Sequence, residues 1–249
     1  MIFRRCAVLF LSLAALTLPA CARVTRIEIL TRQPVLNGQA FGKAGAYEEI
    51  TARVYFAVNP SDPHNTGIVD LDKAPRNEAG EVEFSADLYL LRPVNAGNGA
   101  MILEIPNRGG RGILRLVDGS GPTPYGDGWL LNQGYTLAAL GWQWDVEPHP
   151  GALRLYAPIA TDHGQPITGL LRDDFSPATL ATEWPLGHIT IGRVGGTEYP
   201  VADPNSVQNV LTVRDDPYGP RQVIPRDQWS FAKTVDGALV PSDRSIHLD

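Results

Sequence analysis

Two runs of strict alternation constrain this chain most. From Glu49 to Val58, Ile50, Ala52, Val54, Phe56 and Val58 fall on one side, while Glu49, Thr51, Arg53 and Tyr55 fall on the other. From Glu81 to Leu91 the pattern returns, with Val82, Phe84, Ala86, Leu88 and Leu90 opposite Glu81, Glu83, Ser85 and Asp87. A period of two matches the pleat of a strand and no helix. Two strands with one polar face each predict antiparallel pairing near a sheet edge. A shorter strand is expected over 24–30 (VTRIEIL), followed by a turn-rich stretch holding Gly38, Gly42 and Gly45.

Further along, Ala100 to Ile105 and Tyr135 to Trp142 are almost continuously apolar. Runs of this length suit strands buried on both faces, as in a parallel sheet. Between them lies a glycine-rich loop, Asn107–Gly112, and two helical pieces are expected near Ile113–Val117 and Trp129–Gln133. Strand, loop, helix and strand make a βαβ unit. Beyond Asp145 the texture changes, for 12 of the 21 prolines lie there. Proline at that density excludes long helices and favours short edge strands. The chain thus divides into residues 1–22, a 23–145 region and a β-rich lobe or insertion over 146–249.

The first 22 residues read as a secretory signal. Arg4 and Arg5 precede an apolar run from Ala7 to Leu18. As a helix that run is ~18 Å long, too short for a bilayer core of ~30 Å. Ala20-Cys21-Ala22 fits small-residue cleavage before Arg23. Leu18-Pro19-Ala20-Cys21 also resembles a lipobox that would lipidate Cys21 and leave a lipid anchor, although proline is unusual at that position. A buried N-terminal helix is the plain alternative. The expected location is periplasmic or extracellular, and no second apolar run is long enough to span a membrane. Cys6 and Cys21 are the only cysteines, so the region after the signal has no disulfide, thiolate metal site or cysteine nucleophile. A net charge of −6 with scattered Lys and Arg gives no footprint for nucleic acid.

Glycines after a buried strand let backbone N–H groups converge, and such a nest can stabilise an oxyanion. Asn107, Arg108, Gly109 and Gly110 are the candidates, against the plain reading of a tight turn. Trp142 and Trp144 follow the second buried strand, where they line a pocket or cap the core. Other motifs are set aside. Gly119-Ser120-Gly121 is followed by prolines, so neither a dinucleotide fingerprint nor a serine elbow forms there, and no G-x-S-x-G occurs in the chain. Gly42-Lys43 lacks the first glycine of a P-loop. His64, His149, His163, His188 and His247 show no metal-ligand spacing. Asp162-His163, Asp70 and Asp72, Asp173-Asp174 and Asp215-Asp216 read as turn or surface charges. No cofactor, metal or catalytic residue is assigned.

In combination, Gly38–Tyr47, Ala52–Val58, Ile68–Pro75, Phe84–Pro93, Pro106–Gly109, Gly126–Trp144, Tyr199–Asp203 and Pro220–Ala232 resemble a family of bacterial exported proteins called the alpha/beta hydrolase domain family. The resemblance covers nearly all of the chain after the signal. It implies an α/β fold: a partial α/β-hydrolase-like sheet with antiparallel leading strands and a β-rich, Pro-rich insertion. It further implies the N-terminal half of a serine hydrolase acting on a small-molecule ester, with the nucleophile elbow, acid and histidine further on and no activity alone. Only 107–110 maps onto a functional position, the oxyanion side. The reading from the residues alone keeps an alternative, a non-catalytic β-rich binding module of the cell envelope. Intact mass of the exported protein should show Arg23 as the first residue; a diacylglycerol mass on Cys21 would establish the lipoprotein instead.

Overall fold

The computed structural model describes residues 22–95, 97–119, 121, 123–175, 181–187, 189–190, 193–194 and 199–249. The signal region with Cys21, together with Ser120 and His188, lies outside them. Two long strands dominate. β1 (Arg23–Pro34) pairs antiparallel with β3 (Gly45–Val58), and the short β2 (Ala40–Phe41) turns back onto the start of β3. β3 then pairs antiparallel with β4 (Val82–Pro93) over twelve consecutive residue pairs, from Tyr47↔Pro93 to Val58↔Val82. The loop between them is stiffened by Asp62, whose side chain accepts the His64 N–H at 2.9 Å. That bond holds the Asp62 carboxyl below its ordinary range.

The apolar runs at 100–105 and 135–142 become β5 (Met101–Glu104) and β6 (Thr136–Leu140), which pair in parallel. α1 (Ile113–Val117) and α2 (Trp129–Asn132) lie between them in the chain. Asp118 joins the two helices by accepting the Leu130 N–H. The strand order is β1-β3-β4-β6-β5, with β5 at one edge. β7 (Leu155–Tyr156) adds to β4. Asp87 secures that join, taking Arg53 Nε at 3.0 Å, the Arg154 N–H at 3.0 Å and the Tyr156 hydroxyl at 3.1 Å. Gly141 is required here, because a Cβ would lie 2.5 Å from the Arg154 backbone.

The expected α/β-hydrolase-like class is not what forms. The described residues are 37% strand and 12% helix, the two α-helices among them have five and four residues, and the large sheet is mixed rather than built on alternating helix and strand. The cause is visible in the residues. Glycine and proline crowd the connections between strands, and a helix of four or five residues covers one patch of one face. Only β5 and β6 are parallel in the large sheet.

The faces divide as the alternation predicts, and the side expected to be polar also carries core residues. The side carrying Glu49 and Arg53 also carries Tyr47, Tyr89 and Leu91, and it takes the helices: Leu130, Leu131, Leu137 and Val35 pack there. Tyr47 is fully buried, and its hydroxyl donates to the carbonyls of Leu131 and Tyr135 at 3.0 and 2.9 Å. The opposite face holds an apolar band that crosses the whole sheet in register: Ile29–Ala52–Leu88–Leu140, and beside it Ile50–Leu90–Ala138–Leu103. Ile50, Ala52 and Val54 are buried, but toward the edges Ile29 and Leu103 remain 54% and 52% exposed.

Beyond β7 the chain forms small two- and three-stranded units. β8 (Thr161–Asp162) and β9 (Gln165–Pro166) make one hairpin; β11 (Ile189–Thr190) and β12 (Arg193–Val194) make another, after β10 (Glu183–Pro185). β13 (Thr212–Val213) pairs with β14 (Gln222–Val223). β15 (Trp229–Ser230) and β18 (Ser245–Leu248) join β10 in a three-stranded sheet around buried Trp229 and Ile246, and β16 (Ala232–Val235) pairs with β17 (Ala238–Pro241).

Tyr47→Phe should lower unfolding free energy by about 1–3 kcal/mol, because the hydroxyl's bonds to the Leu131 and Tyr135 carbonyls are lost. Leu91→Ala should cost about 2–5 kcal/mol through the cavity it opens. Urea denaturation of both variants measures these values.

Candidate functional site

The loop after β5 is built from two consecutive left-handed residues, Arg108 (φ +51°) and Gly109 (φ +75°). A non-glycine residue there is strained and persists only where its surroundings hold it. Here the chain beyond β6 holds it. The Arg108 N–H donates to Gln143 Oε1 at 2.6 Å, and its guanidinium pairs with Asp145 at 2.6 Å. Trp142 Nε1 donates to the Pro106 carbonyl at 2.6 Å, and the Leu153 N–H donates to the Gly109 carbonyl at 3.0 Å. Gly109 has no room for a side chain: a Cβ would meet Val146 Cγ1 at 2.8 Å.

All four sequence-predicted loop residues therefore lie in one tight turn, closed by the Gly110 N–H to the Asn107 carbonyl at 3.1 Å. The amides of Arg108 and Gly110 are both engaged, one with a side-chain carbonyl and one within the turn. Just beyond, Glu104 takes the N–H groups of Gly112 and Ile113 at 2.6 and 3.1 Å. Trp142 and Trp144 stand beside this turn, 52% and 49% exposed. Trp144 meets Tyr199 edge to face at 5.6 Å. Burial raises the Tyr199 pKa, Asp145 adds to the rise and Arg108 opposes it. Gln143, Asp145 and Tyr199 belong to this cluster and were not singled out from sequence. The adjacency of Asp145 to Trp144 was the only local signal, and Tyr199 lies in a distant segment.

A second feature went unnoticed in the sequence altogether. A cavity of about 160 Å³ lies between the helix-covered face of the sheet and α1. Its polar lining is Glu49, Tyr89, Glu104, Arg111, Arg115 and Tyr125; Ile113, Leu137 and Ala139 contribute apolar wall. The hydroxyls of Tyr89 and Tyr125 both donate to Glu49 Oε2, at 2.7 and 3.3 Å, and Gln33 Nε2 donates to Glu49 Oε1 at 2.9 Å. The Arg111 guanidinium lies 3.9 Å over the Tyr89 ring. Neither Trp142 nor Trp144 lines this cavity.

The motifs set aside from sequence fall on turns and surface pairs. His163 (φ +50°) and Gly164 (φ +80°) form the tip of the β8–β9 hairpin, a two-residue turn of the primed kind. Asp70 pairs with Lys73, Asp174 with Arg172 and Arg221, and Asp216 caps a turn at the Tyr218 N–H. Among the described residues no group of three or more His, Cys, Asp or Glu could hold a metal ion, and no helix is long and apolar enough to cross a membrane.

Comparison of this chain with protein-family models, with curated proteins and with solved structures finds no match in any of the three.

Five of the eight tyrosines are held above their ordinary pKa, in each case chiefly by burial: Tyr47, Tyr89, Tyr125, Tyr156 and Tyr199. Tyr47 is pushed up to about 12. Above a pH of about 10 the unfolded chain releases protons that the native chain keeps, so the native state binds more protons and stability falls as pH rises. The contribution should be complete below a pH of about 10 and lost progressively above it. Absorbance at 295 nm should show late tyrosine ionisation in native protein and ordinary ionisation in guanidinium, with a falling Tm over the same range.

Proposed function

We propose that this chain is the non-nucleophilic part of an exported serine hydrolase that acts on small esters. One observation carries the reading. The carboxyl ends of the parallel strands β5 and β6 converge on a strained turn, where Gln143 Oε1 sits 2.6 Å from the Arg108 N–H. That is close to the separation of about 2.7–3.1 Å at which a backbone donor meets an oxyanion. In this reading Gln143 marks the position of the substrate oxygen and yields it on binding, and Trp142 and Trp144 form the aromatic wall for the acyl or alcohol group.

The nucleophile is supplied by polypeptide other than these 249 residues, since no G-x-S-x-G occurs among them. It has a place to add. β5 is an edge strand, and Met101 and Leu103 on it are more than half exposed. An open edge with apolar side chains is a template for a further strand.

The purified chain should not turn over p-nitrophenyl acetate. Co-expression with the polypeptide encoded directly downstream, if it carries G-x-S-x-G, should give turnover that Ser→Ala in that motif abolishes. An active chain alone, a downstream frame without the motif, or an assembled pair without turnover overturns the reading. A second reading, a non-catalytic binding module of the cell envelope, is favoured by the engaged amides at Arg108 and Gly110. A monodisperse, cooperatively melting 23–249 product with no downstream partner supports it.

A further inference from the structure

The cavity beneath α1 carries an inference independent of the ester reading. Its two carboxylates are spent inside the protein: Glu49 on Tyr89, Tyr125 and Gln33, and Glu104 on the amides of Gly112 and Ile113. Its two guanidiniums are not. Among the described residues no carboxylate lies within ion-pair distance of Arg111 or Arg115, and neither guanidinium donates a hydrogen bond to another of those residues. Arg111 is instead held by the face of Tyr89, a contact that fixes its position and leaves the N–H edge of the guanidinium for another partner.

We infer that this cavity binds a short-chain aliphatic monocarboxylate, its carboxylate on Arg111 and its tail against Ile113, Leu137 and Ala139. A guanidinium fork matches a carboxylate in two parallel hydrogen bonds. The space of about 160 Å³ equals roughly five waters, which suits a chain of a few carbons and not a lipid. Glu49 and Glu104 in the same wall repel a doubly charged anion such as phosphate, so a single negative charge is preferred. The tyrosine hydroxyls are spent on Glu49, and burial holds Tyr89 well above its usual range, so the phenols stay neutral.

Isothermal titration of the purified full chain with sodium butyrate tests this. Butyrate should bind once per chain. Butyramide, with the same shape and no charge, should bind at least about tenfold more weakly, and inorganic phosphate should not compete. Arg111→Gln should weaken butyrate about tenfold or more with unchanged circular dichroism and Tm, and Arg111→Lys should keep part of the affinity. The proposal is overturned by equal binding of butyrate and butyramide, by displacement with phosphate, by full affinity in an Arg111→Gln, Arg115→Gln double variant, or by no saturable heat up to about 50 mM butyrate.

Discussion

The unbroken pairing of β3 with β4 is the constraint on which the rest of the structure depends. Twelve residue pairs in one register fix which side chains face the helices and which face away. A slip of one residue would move Tyr89 and Leu91 to the far face and strip α2 of its partners. It would also separate Glu49 from Tyr89, and Arg53 from Asp87. The core, the cavity and the join to β7 therefore share one origin, a ladder of backbone hydrogen bonds that admits a single alignment.

Tension at the loop after β5 is balanced by groups from elsewhere. Arg108 would not occupy the left-handed region for its own sake. Gln143, Asp145 and Leu153 hold the turn from the segment that follows β6, and β6 is positioned by β4 and β5. The turn is thus as firm as the sheet beneath it. Glu104 adds a second tie by taking the amides that open α1. The outcome is a rigid bend with two half-exposed indoles beside it, and one carbonyl oxygen set against a strained amide.

Local structure was readable where the period was clean. Residues 49–58 lie in one strand, the strand expected at 81–91 starts at Val82, Ile113–Val117 is a helix, and the helix expected at Trp129–Gln133 ends at Asn132. The class of fold was not readable, because continuous apolar runs at 100–105 and 135–142 suggest a large parallel sheet, whereas the described residues form only one parallel pair. Nor was it readable that the face with the charged residues is also buried in part. Tyr47, Tyr89 and Leu91 share their side with Glu49 and Arg53, so the helix-covered face looks polar in sequence. A tyrosine or a glutamate is buried here because it finds specific partners, and partners distant in sequence leave no local trace.

By itself the sequence determined the strands, the short helices and the breaks between them. These follow from side-chain period and from the backbone limits of glycine and proline, which act over a few residues. Tertiary structure alone decided the clamp of Gln143 and Asp145 on Arg108, and the meeting of Glu49, Tyr89, Arg111 and Tyr125 around one cavity. Those residues come from separate elements, and the register of the sheet, not their spacing along the chain, sets the distances between them.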